Sequence, residues 1–196
     1  ILRSGKVSTW EGGQRVPTVF WAPGRIPANT TCKTIASTLD IMPTFAALAG
    51  AKVPKDRDLD GEDIGHLLAG RFEDARADKV YHYYLRTTLQ AVRQGKWKLH
   101  LPRPAKRPWL VPFAQNKHIH PKDDAAFSEP LLYDLDRDIS ETTNVAEANP
   151  EVVKQLLAIA EKARTEIGDY NRIGSGARFF DKGARRPDVK KWIQQN

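Results

Sequence analysis

Residues 2–24 read LRSGKVSTWEGGQRVPTVFWAPG and carry the densest pattern in the chain. Glycine allows a backbone to turn sharply, so the Gly5-Lys6 and Gly12-Gly13 steps predict tight turns. Taken alone, a lysine beside glycines is more often solvent-facing than catalytic. Residues 16–21 (VPTVFW) form a short apolar run bounded by Pro23-Gly24, which predicts a buried strand. The segment therefore predicts a turn-rich loop that leads into a sheet.

Two helices are predicted after this segment. Residues 34–50 (TIASTLDIMPTFAALAG) have helical spacing, and Asp40 is placed to cap the N-terminus of the helix. Residues 62–69 (EDIGHLLA) predict a shorter helix, with Asp60 as its cap and Gly70 at its end.

The periodicity then changes to that of strands. The β candidates are residues 80–85 (VYHYYL), 89–93 (LQAVR), 97–101 (WKLHL) and 131–135 (LLYDL), and Gln94-Gly95-Lys96 predicts a tight turn. In the third run, apolar residues alternate with Lys98 and His100, which predicts a half-buried hairpin arm. After Asn149-Pro150, an apolar stripe at helical spacing ends at Gly168. These elements predict a helix laid on an antiparallel sheet.

Composition indicates a folded protein with an uneven charge. The chain has 196 residues, 40% of them apolar and 28% charged, and a net charge of +7. Its single cysteine, Cys32, excludes an internal disulfide, and no apolar run approaches the roughly 18 residues of a membrane-spanning helix. Residues 89–122 contain eight basic residues and no acid, and residues 171–196 have seven basic against two acidic residues. This distribution would attract an anionic partner, unless the charges are simply solvated.

The order of these elements carries a family resemblance. The GKVSTWEGGQRVP block of residues 5–17 closely resembles the second signature region of the type I sulfatases, the arylsulfatase-like enzymes of the alkaline phosphatase superfamily. There, a Gly-Lys-x-x-x-[Trp/Tyr]-Glu-Gly-Gly-x-Arg-x-Pro pattern precedes a strand and a Trp-Pro-Gly-like turn. The likeness continues through STLDIMPTFAALAG, LDGED, VRQGKWKL and EPLLYDLDRD, so that nearly everything from residue 1 to about residue 168 fits in order.

The resemblance implies a fold of mixed α+β and α/β class. Residues 1–75 are expected to close the large α/β domain of a sulfatase. Residues 76–170 are expected to form its small antiparallel sheet with a packed C-terminal helix, and residues 171–196 a basic tail. The chain is thus expected to be the C-terminal portion of a longer enzyme, whose N-terminal domain is its first partner. If that domain were absent, residues 16–21 would expose apolar surface and favour self-association.

The resemblance also implies site residues. Lys6 matches the family lysine that reaches the sulfate group, where its ammonium would neutralise a sulfate oxygen and the charge developing on the leaving oxygen. Glu11 and its neighbours Gly12, Gly13 and Arg15 match the same block, and structural work is expected of them. Glu11 would pair with Arg15 or cap a turn, and the glycines would allow close approach of the backbone. The proline-rich stretch of residues 102–130 lies where sulfatases build the rim of the substrate pocket. Side chains there that would contact the leaving group or anionic sugars are Arg107, Lys117, His118 and His120.

Two family features are missing from the sequence. The family nucleophile is a formylglycine made from Cys or Ser in a Cys/Ser-x-Pro-x-Arg motif, whereas Cys32 lies in Thr-Cys-Lys-Thr. The Asp and Asn ligands of the family's Ca²⁺ are expected before Ile1. Formylglycine and Ca²⁺ are therefore both expected in the N-terminal part of the full-length enzyme, and this chain alone is expected to hold no metal and to be inactive. His118 and His120 are spaced like a minimal metal site, but no third ligand is evident nearby.

Three functions remain open at this point. The preferred one is hydrolysis of sulfate esters, with a sulfated carbohydrate favoured by the basic regions. The others are hydrolysis of phosphate or phosphonate esters within the same superfamily, and a non-catalytic module that binds sulfated glycans or, less readily, nucleic acid. The resemblance implies a periplasmic, extracellular or lysosomal protein. No membrane partner is expected, because no apolar run is long enough to span one.

Overall fold

A computed structural model describes residues 1–56, 58–72, 76–103 and 126–176. The chain divides into two compact units, one of Ile1–Arg15 with Val80–Asn196 and the other of Val16–Lys79. The predicted boundary after residue 75 thus falls close to the start of the sheet, but the first fifteen residues group with the sheet unit. That residues 1–75 belong to a larger α/β domain stays a prediction.

The first unit is built on a four-stranded antiparallel sheet in chain order. Its strands are β1 (Val80–Leu85), β2 (Thr88–Gln94), β3 (Trp97–His100) and β4 (Leu131–Asp134). Gln94 pairs with Trp97 across the turn between β2 and β3, where Gly95 has a φ of 54°. A positive φ is what a two-residue hairpin turn requires, which is why glycine occurs there. The predicted strands and turn are confirmed.

One long helix packs on this sheet. This helix, α4, runs over Pro150–Glu166, with proline in its first turn as predicted. Leu156, Ala160 and Ala163 face the sheet and are buried. These three residues form one core with apolar residues from the side of the sheet, namely Leu89, Val92, Leu99, Leu101 and Leu132. Burial of one leucine side chain contributes about 1.5–3 kcal/mol, so this face accounts for the docking of the helix. The chain leaves the helix at Gly168, whose φ is 114°. A short hairpin of β5 (Gly168–Asp169) and β6 (Arg172–Ile173) follows.

The second unit contains short helices. In this unit a 3₁₀ turn (Thr38–Asp40) leads into α2 (Ile41–Leu48), and α3 (Gly65–Leu68) follows. The helix that precedes them in the chain, α1 (Glu11–Gln14), has four residues and belongs to the first unit. The predicted helix that follows Asp40 is therefore present as α2, whereas the helix predicted over residues 62–69 is present but shorter than expected.

Asp40 links these helices, in a manner the sequence did not predict. Its carboxylate does not cap α2. It accepts hydrogen bonds from the N–H of Ser37 at 2.7 Å and of Glu62 at 2.9 Å, and it pairs with the buried Arg76 at 3.1 Å. Asp60 likewise caps no helix, because Asp63 accepts the N–H of Gly65 instead. Gly70, with a φ of 81°, ends α3 as predicted.

The predicted strand over residues 16–21 is wrong. The segment forms no strand in the described chain, and Val16, Val19 and Trp21 are 64%, 91% and 85% exposed. A strand needs hydrogen bonds from a neighbouring strand, and Pro17 has no N–H to offer one. Self-association through this segment stays a prediction. Among the described helices, none combines the length and the apolar character needed to cross a membrane.

Candidate functional site

Lys6 lies exposed in a loop that doubles back on itself. The N–H of Gly12 donates to the carbonyl of Arg3 at 2.9 Å and closes the loop at its base. Ser4 and Val7, close to Lys6 on either side, have φ values of 62° and 71°. Left-handed backbone is costly for a β-branched residue such as valine, so the surrounding contacts must hold this conformation. The Lys6 side chain thus lies at the surface, on a strained backbone whose conformation is held by the contacts around it.

The two glycines at the loop base are required by close packing. A Cβ added at Gly12 would lie 2.3 Å from the carbonyl oxygen of Ser4, and one added at Gly13 would lie 2.6 Å from that of Gly5. No side chain can occupy these positions without a shift of the backbone. The prediction that the glycines allow close approach is confirmed.

A buried carboxylate anchors this base. Glu11 is 1% exposed, and its carboxylate pairs with Lys98 at 2.9 Å, with Arg93 at 3.3 Å and with Arg15. Burial by itself would raise the pKa of Glu11, but the attraction and the hydrogen bond of Lys98, with the bond from Arg15, outweigh burial and lower the pKa below its ordinary value. Glu11 is therefore a carboxylate held charged in the interior. The predicted pairing with Arg15 is confirmed.

Lys98 lies between two carboxylates. Its ammonium is fully buried and is 2.9 Å from Glu11 Oε1 and 2.9 Å from Glu141 Oε1. The other oxygen of Glu141 accepts the backbone N–H of Glu11 at 2.7 Å. The ammonium also lies 4.4 Å from the ring centre of Tyr83. One cation thus joins β3, helix α1 and the segment after β4.

His100 extends this network on the same face of β3. Arg103 Nη2 donates to His100 Nδ1 at 2.8 Å, and because a guanidinium only donates, Nδ1 is the acceptor. Nε2 therefore carries the proton and donates to Glu141 at 2.9 Å. Burial, and then the charges of Lys98 and Arg103, place the pKa of His100 well below its ordinary value, so the imidazole is neutral. Trp10 stacks on it with ring centres 3.9 Å apart.

The prediction that β3 is a half-buried strand with Lys98 and His100 facing solvent is wrong. Lys98 and His100 are both 0% exposed, because Trp10, Glu11 and Glu141 cover them. Alternation in a strand predicts which residues share a face, but it does not say what covers that face. The signal available was indirect: the basic stretch of residues 89–122 has no acid of its own, so any buried member needs an acid from elsewhere.

The other predicted site residues belong to the proline-rich stretch of residues 102–130. Arg107, Lys117, His118 and His120 lie outside the described residues, and their roles stay predictions. Asp134 and Asp138 act as turn residues: Asp134 pairs with Lys96, and Asp138 accepts from Thr142 and Thr143. In the part of the chain that the structure describes, no group of three histidine, cysteine or acidic side chains is arranged to hold a metal.

Comparison with known proteins identifies a family for the chain. Residues 76–187 match the family described as the C-terminal region of aryl-sulfatase. Mouse (Mus musculus) steryl-sulfatase is 36% identical over 178 residues, which cover 84% of this chain and 28% of that protein. One solved structure has a TM-score of 0.65 at 31% identity, over 84% of this chain and 32% of the other chain. Its description concerns the metabolism of multiple glycosaminoglycans by Bacteroides thetaiotaomicron.

A second solved structure, Ps i-CgsB in complex with k-i-k-neocarrahexaose, has a TM-score of 0.61 at 29% identity, over 82% of this chain and 31% of that one. The chain therefore spans less than a third of the length of each of these relatives. The chain belongs to the sulfatase family and corresponds to its C-terminal region.

Proposed function

We propose that this chain forms part of a sulfuric ester hydrolase and supplies the lysine, Lys6, that binds the sulfate group. The observation that carries the proposal is the loop of residues 3–13: its tip presents an exposed ammonium, while its base is fixed by the buried Glu11 carboxylate. A mobile surface lysine would need no such anchor. The similarity to a steryl-sulfatase supports the same reaction class.

Lys6 suits the chemistry of a sulfate ester. The reaction converts R–OSO₃⁻ and water into R–OH and hydrogen sulfate, and negative charge builds on the bridging oxygen as its bond to sulfur breaks. A compact ammonium offers three donors, and it stabilises that charge most when its position is fixed in advance. The strained backbone at Ser4 and Val7 provides such a fixed position.

Formylglycine and Ca²⁺ are proposed for the full-length enzyme and do not fit the described residues. Cys32 is exposed and lies outside a Cys/Ser-x-Pro-x-Arg motif, and within residues 1–56, 58–72, 76–103 and 126–176 no acidic or histidine cluster is arranged for a cation. We therefore assign both groups to other parts of the enzyme.

A sulfated carbohydrate is the proposed substrate class. Two similar structures support it, since one is described with glycosaminoglycan metabolism and the other holds a neocarrahexaose. Arg107, Lys117, His118 and His120 are proposed as contacts for the anionic sugars or the leaving group. Carbohydrate substrates of this kind agree with the predicted location outside the cytoplasm, which stays a prediction.

The alternative of a polyanion-binding module is weakened by the placement of the basic residues. Among the basic residues that the structure describes within residues 89–122, Lys98 and Arg103 are buried, Arg93 is largely buried against Glu11, and Lys96 pairs with Asp134. Charges that are compensated internally attract a polyanion much less than exposed ones.

The test is the kinetics of the full-length sulfatase with Lys6→Ala. Loss of one fixed donor at the developing charge should lower kcat/KM by about 10²–10³-fold on an aryl sulfate and on a sulfated oligosaccharide. Lys162→Ala, which removes an exposed lysine of α4, is the matched control and should leave kcat/KM unchanged. An unchanged rate in Lys6→Ala would refute the role of Lys6. Faster turnover of the matching phosphate or phosphonate esters would favour the other hydrolase of the superfamily.

A further inference from the structure

We propose that Lys98 is a positioning residue for Lys6, acting through the buried carboxylates at the base of the loop. This inference rests on the proposed function, because it assumes that Lys6 contacts the sulfate group. Lys98 itself is fully buried and touches no solvent. Its effect on the reaction must therefore pass through the residues that it contacts.

The first step of the path runs from the sheet to helix α1. The Lys98 ammonium binds the Glu11 side chain at 2.9 Å, and Glu141, bound to the same ammonium, accepts the backbone N–H of Glu11 at 2.7 Å. Glu11 is thus held both by its side chain and by its backbone. Charge-assisted hydrogen bonds have narrow distance ranges, so this pair of bonds fixes where α1 begins on the sheet.

The second step runs from α1 to Lys6. Gly12 and Gly13, the next residues of the helix, press against the carbonyl groups of Ser4 and Gly5 so closely that no Cβ fits between them. Gly5 directly precedes Lys6. A shift of α1 by a few tenths of an ångström must therefore move the backbone that carries the Lys6 side chain, because there is no free space to absorb the shift.

The charge of Lys98 matters as well as its volume. The carboxylates of Glu11 and Glu141 lie on either side of its ammonium. Without that ammonium, Glu141 would face a second carboxylate while still bonded to the N–H of Glu11, and like charges at short range inside a protein repel strongly. The expected result is a displaced α1, hence a misplaced Lys6 in a protein that still folds.

The experiment is a double-mutant cycle on the full-length sulfatase, with Lys98→Met and Lys6→Ala. A residue that acts through Lys6 has little left to disturb once Lys6 is gone. We expect Lys98→Met to lower kcat about 10-fold or more with little change in KM, and to cause less than about a 3-fold further loss in the Lys6→Ala background. Lys96→Met, in the same hairpin but paired with Asp134, is the matched control and should keep full activity.

Several results would overturn the inference. An equal loss from Lys98→Met in both backgrounds would mean a general structural effect, and an unchanged kcat in Lys98→Met alone would mean that the loop does not depend on it. An unchanged rate in Lys6→Ala alone would instead refute the proposed function. If Lys98→Met does not fold, Lys98→Gln takes its place in the cycle. It removes the charge but keeps N–H donors for the carboxylates of Glu11 and Glu141, and the same lack of additivity is expected.

Discussion

Replacement of Glu11 by glutamine should destabilise the sheet unit substantially, and the size of the effect can be worked from the buried contacts. At an effective dielectric constant of about 20, the Lys98 ammonium 2.9 Å away attracts the Glu11 carboxylate by about 6 kcal/mol, and Arg93 at 3.3 Å by about 5 kcal/mol. Removal of the carboxylate from water opposes this attraction by several kcal/mol. Arg15 is 41% exposed, so its pairing with Glu11 is screened and adds little.

The expected loss is therefore about 3 kcal/mol, the lower end of the range for breaking a buried ion pair, because Lys98 keeps Glu141. With a urea dependence of about 2 kcal/mol per molar, the unfolding midpoint should fall by about 1.5 M, measured by tryptophan fluorescence. Glu166→Gln is the matched control. Its ion pair with Lys162 is exposed and 3.9 Å long, so its loss should cost about 1 kcal/mol or less.

The pH dependence supplies a second check on Glu11. Its pKa is lower in the folded protein than the ordinary value of 4.5, so its contribution is present in full above about pH 4.5 and is lost as the pH falls through the folded pKa. The difference in unfolding free energy between wild type and Glu11→Gln should shrink accordingly at acid pH. A midpoint equal to that of Glu166→Gln at neutral pH, or a difference that does not change with pH, would refute this account of the buried carboxylate.

The other predictions concern the histidine, the core and one glycine. Because the pKa of His100 is lowered on folding, the stability linked to it is present in full above about pH 6.5 and declines as the pH falls toward the folded pKa. Between neutral and mildly acid pH, the urea unfolding midpoint should therefore fall less for His100→Gln than for the wild type. In thermal or urea unfolding, Leu156→Ala should cost about 2–5 kcal/mol, because it opens a cavity between α4 and the sheet, whereas Leu157→Ala on the exposed side should cost less than about 1 kcal/mol. Gly61→Ala should lower the melting temperature, since its Cβ would overlap the carbonyl group of Leu39, and an unchanged melting temperature would contradict this packing.

The sheet unit could be predicted from sequence because its signals are local. Alternation over residues 97–101 and the glycine at position 95 specify a hairpin by short-range sterics, and the apolar stripe after Pro150 specifies a helix with one buried face. Each pattern repeats several times within a few residues. The fold of the unit then follows when the apolar face of the helix packs on the apolar face of the sheet.

The prediction for residues 16–21 failed because a strand is defined by its partner. The run VPTVFW has the composition of a buried strand, yet the described chain offers it no neighbouring strand, and its apolar side chains are exposed. Composition records a preference for a half-buried pleated surface and not a backbone state. The same limit applies to the polar face of β3, where Lys98 and His100 have the spacing of solvent-facing residues.

The buried ion pairs of Lys98 with Glu11 and Glu141 raise the question of why this face of β3 carries a charged residue in place of an apolar one. A buried ion pair is often no more stabilising than a well-packed apolar substitute, so stability alone does not explain Lys98, Glu11 and Glu141. Apolar contacts are non-directional and would hold the loop over a range of offsets with similar energy. Hydrogen-bonded charges instead satisfy one another at a single offset. The loop held in this way carries at its tip Lys6, the residue proposed to bind the sulfate group, and in that role an error of an ångström would cost most of its effect. The choice of charged over apolar residues is thus best understood as a means of fixing the position of the loop.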